Sequence, residues 1–385
     1  MIVVIADDIT GAAEIAGKAM EFGLLISFHC SFDGTISDIL SADVVIIATN
    51  SRSLSEAKAI QLHQQLVTEI SKLQHSGIYH FFKKCDSVLR GYVLSELLPL
   101  AELTGRKKLI LQPANPAAGR CIHNGNYTVN KLALHRTAFG DDPDFPATTS
   151  SVTQLLEVRN PAFQLRPDYE YLLSDCSSEE EMQDQLKRSD FSACMYAGST
   201  AFFGNYLTIL HHLRAKPAKH TTPYPVTGPF LLIAGSAHAT TTETLRQFET
   251  RGRMIIQLPE ELRQPECSFE TIQQLAVKKA EQWKNAPNDG ILLLTGGKQE
   301  TFESAAEVLN QRLCTIAQLL VSHLQIKSIF ISGGATTWQF IRETNLTTLI
   351  PEKTLAPGVI QLRVGETPDT TITIKPGSYP WGIEF

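Results

Sequence analysis

Two adjacent carboxylates, Asp7 and Asp8, follow the short apolar run Ile2 to Ala6. A surface turn or a helix cap puts acids in such a place. So does a site that accepts hydrogen bonds from hydroxyls or takes a proton. The pattern of an apolar run followed at once by reactive residues recurs through the first half of the chain. Arg52 follows DVVIIA (43–48), and Lys84, Cys85, Asp86, Ser87 and Arg90 follow IYHFF (78–82). Arg120 follows KLILQPA (108–114). In an open α/β sheet, ligands sit outside the carboxyl ends of the strands, so these residues are expected to converge on one crevice. Acids and bases together suit a ligand with a carboxylate and hydroxyls. Arg and Lys would clamp the carboxylate, Arg bidentately, and Asp would accept from the hydroxyls. Some of these groups would equally serve as surface charges or helix caps.

The second half places other residues after its strands. AGS (234–236), TGG (295–297) and SGGAT (332–336) each follow an apolar run. Glycine lets backbone N–H groups approach an anion, and a following helix N-terminus adds partial positive charge. Each glycine pair alone also makes a tight strand-to-helix turn; three such loops together point to a nucleotide. His238 lies next to the first of them, where a lone loop histidine is more often incidental than a ligand. Three familiar motifs are absent. GAAEIAGKA (11–19) has five residues between its glycines where a phosphate loop has four, carries Ala19 in place of Ser or Thr, and reads as helix interior. No G-x-G-x-x-G follows a strand, and no H-E-x-x-H occurs.

These residues need a frame. Repeated strand–loop–helix units imply a mostly parallel sheet with helices on both faces. Ile15, Ala19 and Phe22 share one helical face, with Gly23 closing that helix. Leu94, Leu97, Leu98 and Ala101 share another, where Pro99 must bend the helix or sit near its start. A chain of 385 residues is long for one core, so two domains are expected. AKPAKHTTPYPVTGP (215–229) has four prolines and no period, and reads as a linker. The expected fold is α/β in two domains, 1–215 and 230–385, joined by 216–229. Each domain would be a mostly parallel sheet flanked by helices, with a ligand cleft between them. Residues 126–163 read as an irregular excursion or lid.

Bulk composition narrows the function. The chain is 43% hydrophobic and 19% charged, with a formal net charge of −6. That argues against a nucleic-acid binder, which needs a basic footprint. No apolar run approaches the ~18 residues of a membrane span. The first residues lack a basic stretch and turn acidic by Asp7, so no signal peptide and a cytoplasmic location are expected. Seven scattered cysteines with no C-x-x-C pair suggest reduced thiols and not a disulfide frame or zinc site.

Several stretches resemble one family, the four-carbon acid sugar kinases, formerly a domain of unknown function. IADDITGA (5–12) is similar to its opening motif, and KKCDSVLRG (83–91) resembles its long K-K-x-D-S-x-L-R-G element. PANPAAGR (113–120) resembles P-A-F-P-x-x-G-R, and AGSAHATT (234–241), SGGATT (332–337), APGV (356–359) and IKPG (374–377) fall in the family's order. The resemblance covers nearly the whole chain. It implies a domain that binds a sugar acid, a domain that binds ATP, and transfer of the γ-phosphoryl group to the terminal 4-hydroxyl of a threonate, erythronate or 3-oxo-tetronate type of acid. By position it implies that Asp7, Asp8, Arg52, Lys84, Cys85, Asp86, Ser87 and Arg90 hold the acid. Asp8 or Asp7 would take the proton or orient the hydroxyl, while the other anchors the loop or the following helix. It implies that Ser236, Gly333, Gly334, Ala335, Thr336 and Gly377 hold ATP, with Mg2+ bridging its phosphates on ligands the sequence does not identify. A homodimer is entertained, with no sequence feature that fixes it. The chain departs from the family pattern at Ala48-Thr49-Asn50-Ser51-Arg52 (usually D-T-E-S-R), at Ala335 (usually Glu) and at KPGSYPWG (375–382). The two lost carboxylates keep a non-catalytic sugar-acid or nucleotide sensor open as an alternative. A nicotinamide-dependent sugar-acid dehydrogenase is a weaker one, for want of a dinucleotide fingerprint.

Overall fold

The computed structural model describes residues 1–30, 42–72, 80–142, 144–163, 166–211, 226, 228–235, 239–264, 266–285, 289–295, 305–346 and 348–385. The chain divides into two compact units, Met1–Ala218 and Lys219–Phe385. Apart from residues 226, 228 and 229, the expected linker lies outside the described residues.

Unit 1 begins β1 (Ile2–Ala6), α1 (Ile9–Glu21), β2 (Ile26–His29), β3 (Val44–Ala48), α2 (Glu56–Lys72), β4 (His80–Lys84), α3 (Val93–Thr104) and β5 (Lys108–Gln112). An excursion follows: β6 (Arg120–His123), β7 (Asn126–Val129), β8 (Leu132–Ala133) and α4 (Val152–Arg159). The unit ends with β9 (Glu170–Leu173), α5 (Glu179–Lys187), β10 (Cys194–Gly198) and α6 (Thr200–His211). Seven strands form one parallel sheet in the order β2-β3-β1-β4-β10-β5-β9. β1 and β3 are apolar and buried throughout, as strands covered on both faces must be. The periodic faces come out as read: Ile15 and Ala19 are fully buried in α1, and Gly23, at φ 73°, donates its N–H to Met20 to close the helix. Pro99 lies in the interior of α3.

The excursion is more regular than residues 126–163 suggest. β6, β7 and β8 form a three-stranded antiparallel sheet, and α4 begins on a Ser151 cap. Strands of two to four residues are too short to show a period of two, which is why the sequence reads as irregular there.

Unit 2 runs β11 (Phe230–Ala234), α7 (Ala239–Thr250), β12 (Met254–Gln257), α8 (Phe269–Asn285), β13 (Gly290–Leu294), α9 (Ala305–Leu324), β14 (Ser328–Ser332), α10 (Gly334–Glu343), β15 (Leu349–Ala356), β16 (Val359–Val364) and β17 (Thr371–Lys375). Its sheet order is β12-β13-β11-β14-β17-β16-β15. The first five strands of that order are parallel, and β15 and β16 add an antiparallel edge. Phe230, Phe248, Phe330, Trp381 and Phe385 pack into one aromatic core beneath it.

In unit 1, α1 carries the chain from β1 to β2 on one side, and α2 carries it from β3 to β4 on the other. Right-handed crossovers in opposite directions put the two helices on opposite faces; α1 packs on α6, and α2 on α3. The order therefore reverses between β1 and β3, and a crevice opens at their carboxyl ends. In unit 2 the same logic applies to α7 and α9, with the reversal between β11 and β13.

Candidate functional site

Strand register sets the first rim. Ala6 pairs with Ala48 on one side and Lys84 on the other, and Lys84 pairs with Gly198. Asp7, Thr49 and Cys85 therefore leave the sheet side by side. Side chains alternate across a strand, and here the alternation separates like from like. Lys83 joins Glu96 of α3 at 2.7 Å, with His63 of α2 3.6 Å from the same carboxylate. Lys84 lies toward Glu14 of α1, at 3.9 Å. The two aspartates divide the same way. Asp7 is in the field of Lys83 and Asp8 in that of Lys84.

Asp8 is the N-cap of α1. Its Oδ1 accepts from the Gly11 N–H at 3.0 Å, and its Oδ2 from the Thr10 hydroxyl at 2.6 Å. Arg52 also donates to Oδ1, at 3.3 Å. Burial pushes the Asp8 carboxyl up, but Arg52, Lys84 and the Thr10 bond outweigh it and hold the group below its ordinary value. Asp7 is more deeply buried. Its Oδ2 accepts from Arg52 Nε at 2.8 Å, while Oδ1 has no hydrogen-bond partner among the described residues. Burial raises its pKa, with Arg52 and Lys83 opposing and Asp8 reinforcing.

Arg52 sits in a short turn after β3 and reaches three carboxylates: Asp7, Asp8 and, at 3.7 Å, Asp86. Arg90 makes a two-pronged bond to Asp86, at 3.2 and 2.9 Å, and a further bond to Asp142 at 3.2 Å. Burial pushes Asp86 up, but Arg90 and Arg52 hold it well below the carboxylate range. Both arginines expected to await a ligand carboxylate thus already hold protein carboxylates. Isolated guanidinium groups in so buried a place would be costly. Ser87 bonds Arg120 through its hydroxyl and accepts from Tyr127 through its carbonyl. The Cys85 thiol is buried and pushed up to about 12 by that burial, while its carbonyl accepts from Lys84 Nζ at 2.9 Å and its N–H donates to the Gly198 carbonyl at 3.0 Å. Unit 1 therefore brings together every residue expected at its rim. Sequence reading missed Glu14, Thr10 and the buried set Lys83, Glu96 and His63. The signal for Lys83 was the doubled lysine at the end of a strand otherwise made of buried aromatics.

The second rim is built the same way from different residues. Ala234 pairs with Leu294 and Ser332, and Ser332 pairs with Lys375, so Gly235, Thr295, Gly333 and Pro376 leave the sheet in a row. Gly333 has φ 101° and ψ 141°, a conformation that residues with a Cβ rarely adopt. It hands the chain to α10, whose first residue is Gly334 and whose start has no side-chain cap. A Cβ on Gly235 would press on the Thr336 hydroxyl and lie 3.1 Å from Asn310 Oδ1, so glycine lets these side chains approach the turn closely. Ala335 donates no side-chain bond, but its carbonyl accepts from Asn310 of α9 at 3.2 Å. Gly377 accepts from Lys375 Nζ at 3.4 Å. Gly333, Gly334, Ala335, Thr336 and Gly377 therefore share one rim. Ser236, His238 and the glycines of TGG lie outside the described residues. Lys375 itself was missed, although a lysine ending the buried strand TITIK was a visible signal.

Comparisons with known proteins follow the same division. A family model for a sugar-binding N-terminal domain matches residues 2–194, and one for a nucleotide-binding C-terminal domain matches residues 231–379. A 3-oxo-tetronate kinase of Haemophilus influenzae is 22% identical over 412 residues, covering 98% of this chain and 97% of its own. A 3-oxo-tetronate kinase of Brucella melitensis is 33% identical over 160 residues, covering 40% of this chain and 35% of that protein. The matches to the first curated relatives span well under half of their length: 35%, 39% and 38%. A solved Salmonella typhimurium protein shares the fold, with a TM-score of 0.77 at 18% identity over 99% of this chain and 97% of that one.

Proposed function

The chain belongs to the four-carbon acid sugar kinase family, and on that premise we propose that it phosphorylates the terminal 4-hydroxyl of a four-carbon sugar acid with ATP. The observation that carries this reading is the rim of unit 1, where Asp8 stays ionised beside Arg52 and Lys84 at the reversal of the sheet order. Asp8 is the more exposed of the two acids, its side chain 12% accessible against 3% for Asp7. In this reading Asp8 accepts from the acceptor hydroxyl and aligns it for in-line attack. Asp7 is a positioning residue that holds the Nε edge of Arg52 from behind. The Arg52 contact to Asp86 is too long for a hydrogen bond, so that edge of the guanidinium meets the substrate carboxylate, with Lys84 beside it. The protein then accepts threonate, erythronate or 3-oxo-tetronate, and ignores neutral tetritols.

ATP is assigned to the rim of unit 2. Its row of glycines and hydroxyls, with an uncapped helix start after Gly333, suits a phosphate chain. Magnesium supplies charge neutralisation between the phosphates in such reactions. Among the described residues no group of three or more His, Cys, Asp or Glu gathers to hold a metal, and magnesium commonly takes its ligands from phosphate and water. For the chain's own residues the chemistry is mainly placement of the hydroxyl.

The test is a coupled ADP-release assay across threonate, erythronate and 3-oxo-tetronate stereoisomers, with threitol and erythritol as controls. Turnover with one or more acids and none with the alcohols is expected. Tight acid binding without ADP release would make the protein a sensor. Equal turnover of acids and alcohols would make it a polyol kinase.

A further inference from the structure

Three lysines are buried among the described residues: Lys83, Lys84 and Lys375. The first two have carboxylates, Glu96 and Glu14. Lys375 is 1% exposed at the end of β17, and no carboxylate pairs with it among the described residues. Its ammonium donates to the Ser332 hydroxyl at 2.8 Å and to the carbonyls of Pro376 and Gly377 at 3.1 and 3.4 Å. The Trp381 ring lies 5.1 Å away. Neutral oxygens satisfy the donors but do not balance the charge, and a buried charge without a counter-charge is costly. Such a group is kept where an anion comes to meet it. The surroundings fit an anion: the Gly333 N–H donates to the Lys375 carbonyl at 2.9 Å, which fixes the SGGAT turn against the lysine.

We propose that Lys375 is the cation that binds the phosphate chain of the nucleotide, exchanging its long Gly377 contact for a phosphate oxygen. This rests on the assignment of ATP to unit 2. The free protein should then hold the amine near its titration point. Burial brings Lys375 down to about 8, and a bound phosphate would bring it back up. Binding a phosphate-bearing nucleotide at pH 8.5 should therefore draw a proton onto the protein.

The experiment is titration calorimetry of the full chain with ADP and with adenosine, at pH 7.0 and 8.5, in two buffers of different ionisation enthalpy. Wild-type protein is expected to take up protons on binding ADP at pH 8.5, less at pH 7.0, and none on binding adenosine. Lys375→Met should weaken ADP by roughly 10–100-fold, the worth of one charge-assisted bond. It should leave adenosine unchanged and abolish the proton uptake. Its melting temperature should be no lower than wild type, since the variant removes a buried charge. A merely structural lysine would give the reverse: a lower melting temperature and unchanged ADP binding. The proposal falls if Lys375→Met binds ADP as wild type does. Wild-type protein that binds neither ADP nor adenosine removes the nucleotide assignment, and this inference with it.

Discussion

The two units arrange their first four strands identically, second-third-first-fourth across the sheet, yet the rims differ in kind. In unit 1 the strand ends carry Asp7, Asp8, Lys83 and Lys84, and each charge is matched by an opposite one. In unit 2 they carry Gly235, Thr295 and Gly333, and the one charge, on Lys375, is not matched among the described residues. On the proposed function, a sugar acid offers several hydroxyls and one carboxylate, so it would be gripped by preset acceptors and donors whose own charges must balance without it. A nucleotide brings several negative charges, so its site can leave a positive one waiting. One topology thus supports two recognition strategies, and only the last residue of each strand and the first after it need change.

Asp8→Asn gives the largest effect and tests the first strategy. Asparagine is as good an N-cap as aspartate, so α1 keeps its start while the rim loses a negative charge. Turnover should fall about 10²–10⁴-fold, with the melting temperature and ADP affinity unchanged. Asp7→Asn should instead destabilise the unit, because it weakens the pairing of a buried guanidinium. A stable, active Asp8→Asn and an inactive Asp7→Asn would reverse the two roles.

The charge matching of unit 1 also has a pH signature. His63 is fully buried, and burial with Lys83 nearby holds it at about 4, against 6.5 when free, despite Glu96. The unfolded chain takes up this proton below pH 6.5, and the folded one only below about 4. The unfolded state therefore binds more protons in that window, and stability is lost as pH falls through it, by about 3 kcal/mol at most. Lys375 works in the same direction on unit 2 but in a higher window: its lowered value means the unit gains stability as pH rises from about 8 toward 10.5. Urea unfolding followed by hydrogen exchange should show peptides of α2 losing protection between pH 6.5 and 4, while those of α9 do not. His63→Gln should flatten the α2 response. An unchanged slope in that variant would place the acid sensitivity elsewhere.

Much of this arrangement was legible in the sequence because it depends on strand ends. Apolar runs such as IVVIA and VVIIA locate the sheet, and whatever follows them lies at the rim. What sequence could not show was pairing. Arg52 reads as a free guanidinium, but its partners Asp7 and Asp86 come from other strands, and only register brings them together. The division of the adjacent acids was also hidden, since it follows from alternation across a strand whose neighbours were unknown. The excursion was read at 126–163 but its strands were missed because they are too short for a period, and Lys375 was passed over although it ends the buried strand TITIK.

Arg52→Lys probes how far charge balance rather than shape defines unit 1. Lysine keeps the charge but cannot bond Asp7 and Asp8 at once and still present a planar edge to a ligand. A loss of roughly 10–100-fold in kcat/KM for the acid is expected, the range of one charge-assisted contact. The expected split is a raised KM with a smaller change in kcat, because a carboxylate far from the reacting hydroxyl contributes similar binding in ground and transition states. A pure kcat effect would move Arg52 to the reacting end of the substrate.

The smallest effect belongs to the backbone of unit 2, and it separates a phosphate-binding turn from a merely tight one. Gly333→Ala adds a methyl to a residue at φ 101°, a region in which L side chains are strained, although no atom of the described residues beyond its chain neighbours lies within 4 Å of the new Cβ. The penalty is therefore conformational and not a clash. Strain of this kind costs on the order of 1–3 kcal/mol, and the turn can relieve it by rotating the peptide between Gly333 and Gly334. That rotation would turn the first N–H of α10 away from any anion. ADP affinity should fall about tenfold, a loss of about 1.4 kcal/mol, while adenosine and sugar-acid binding stay as they were, because neither needs that N–H. If the melting temperature falls and ADP affinity does not, the positive φ serves only the passage from β14 to α10. The contrast between a charged rim and a backbone rim would then narrow to Lys375 alone.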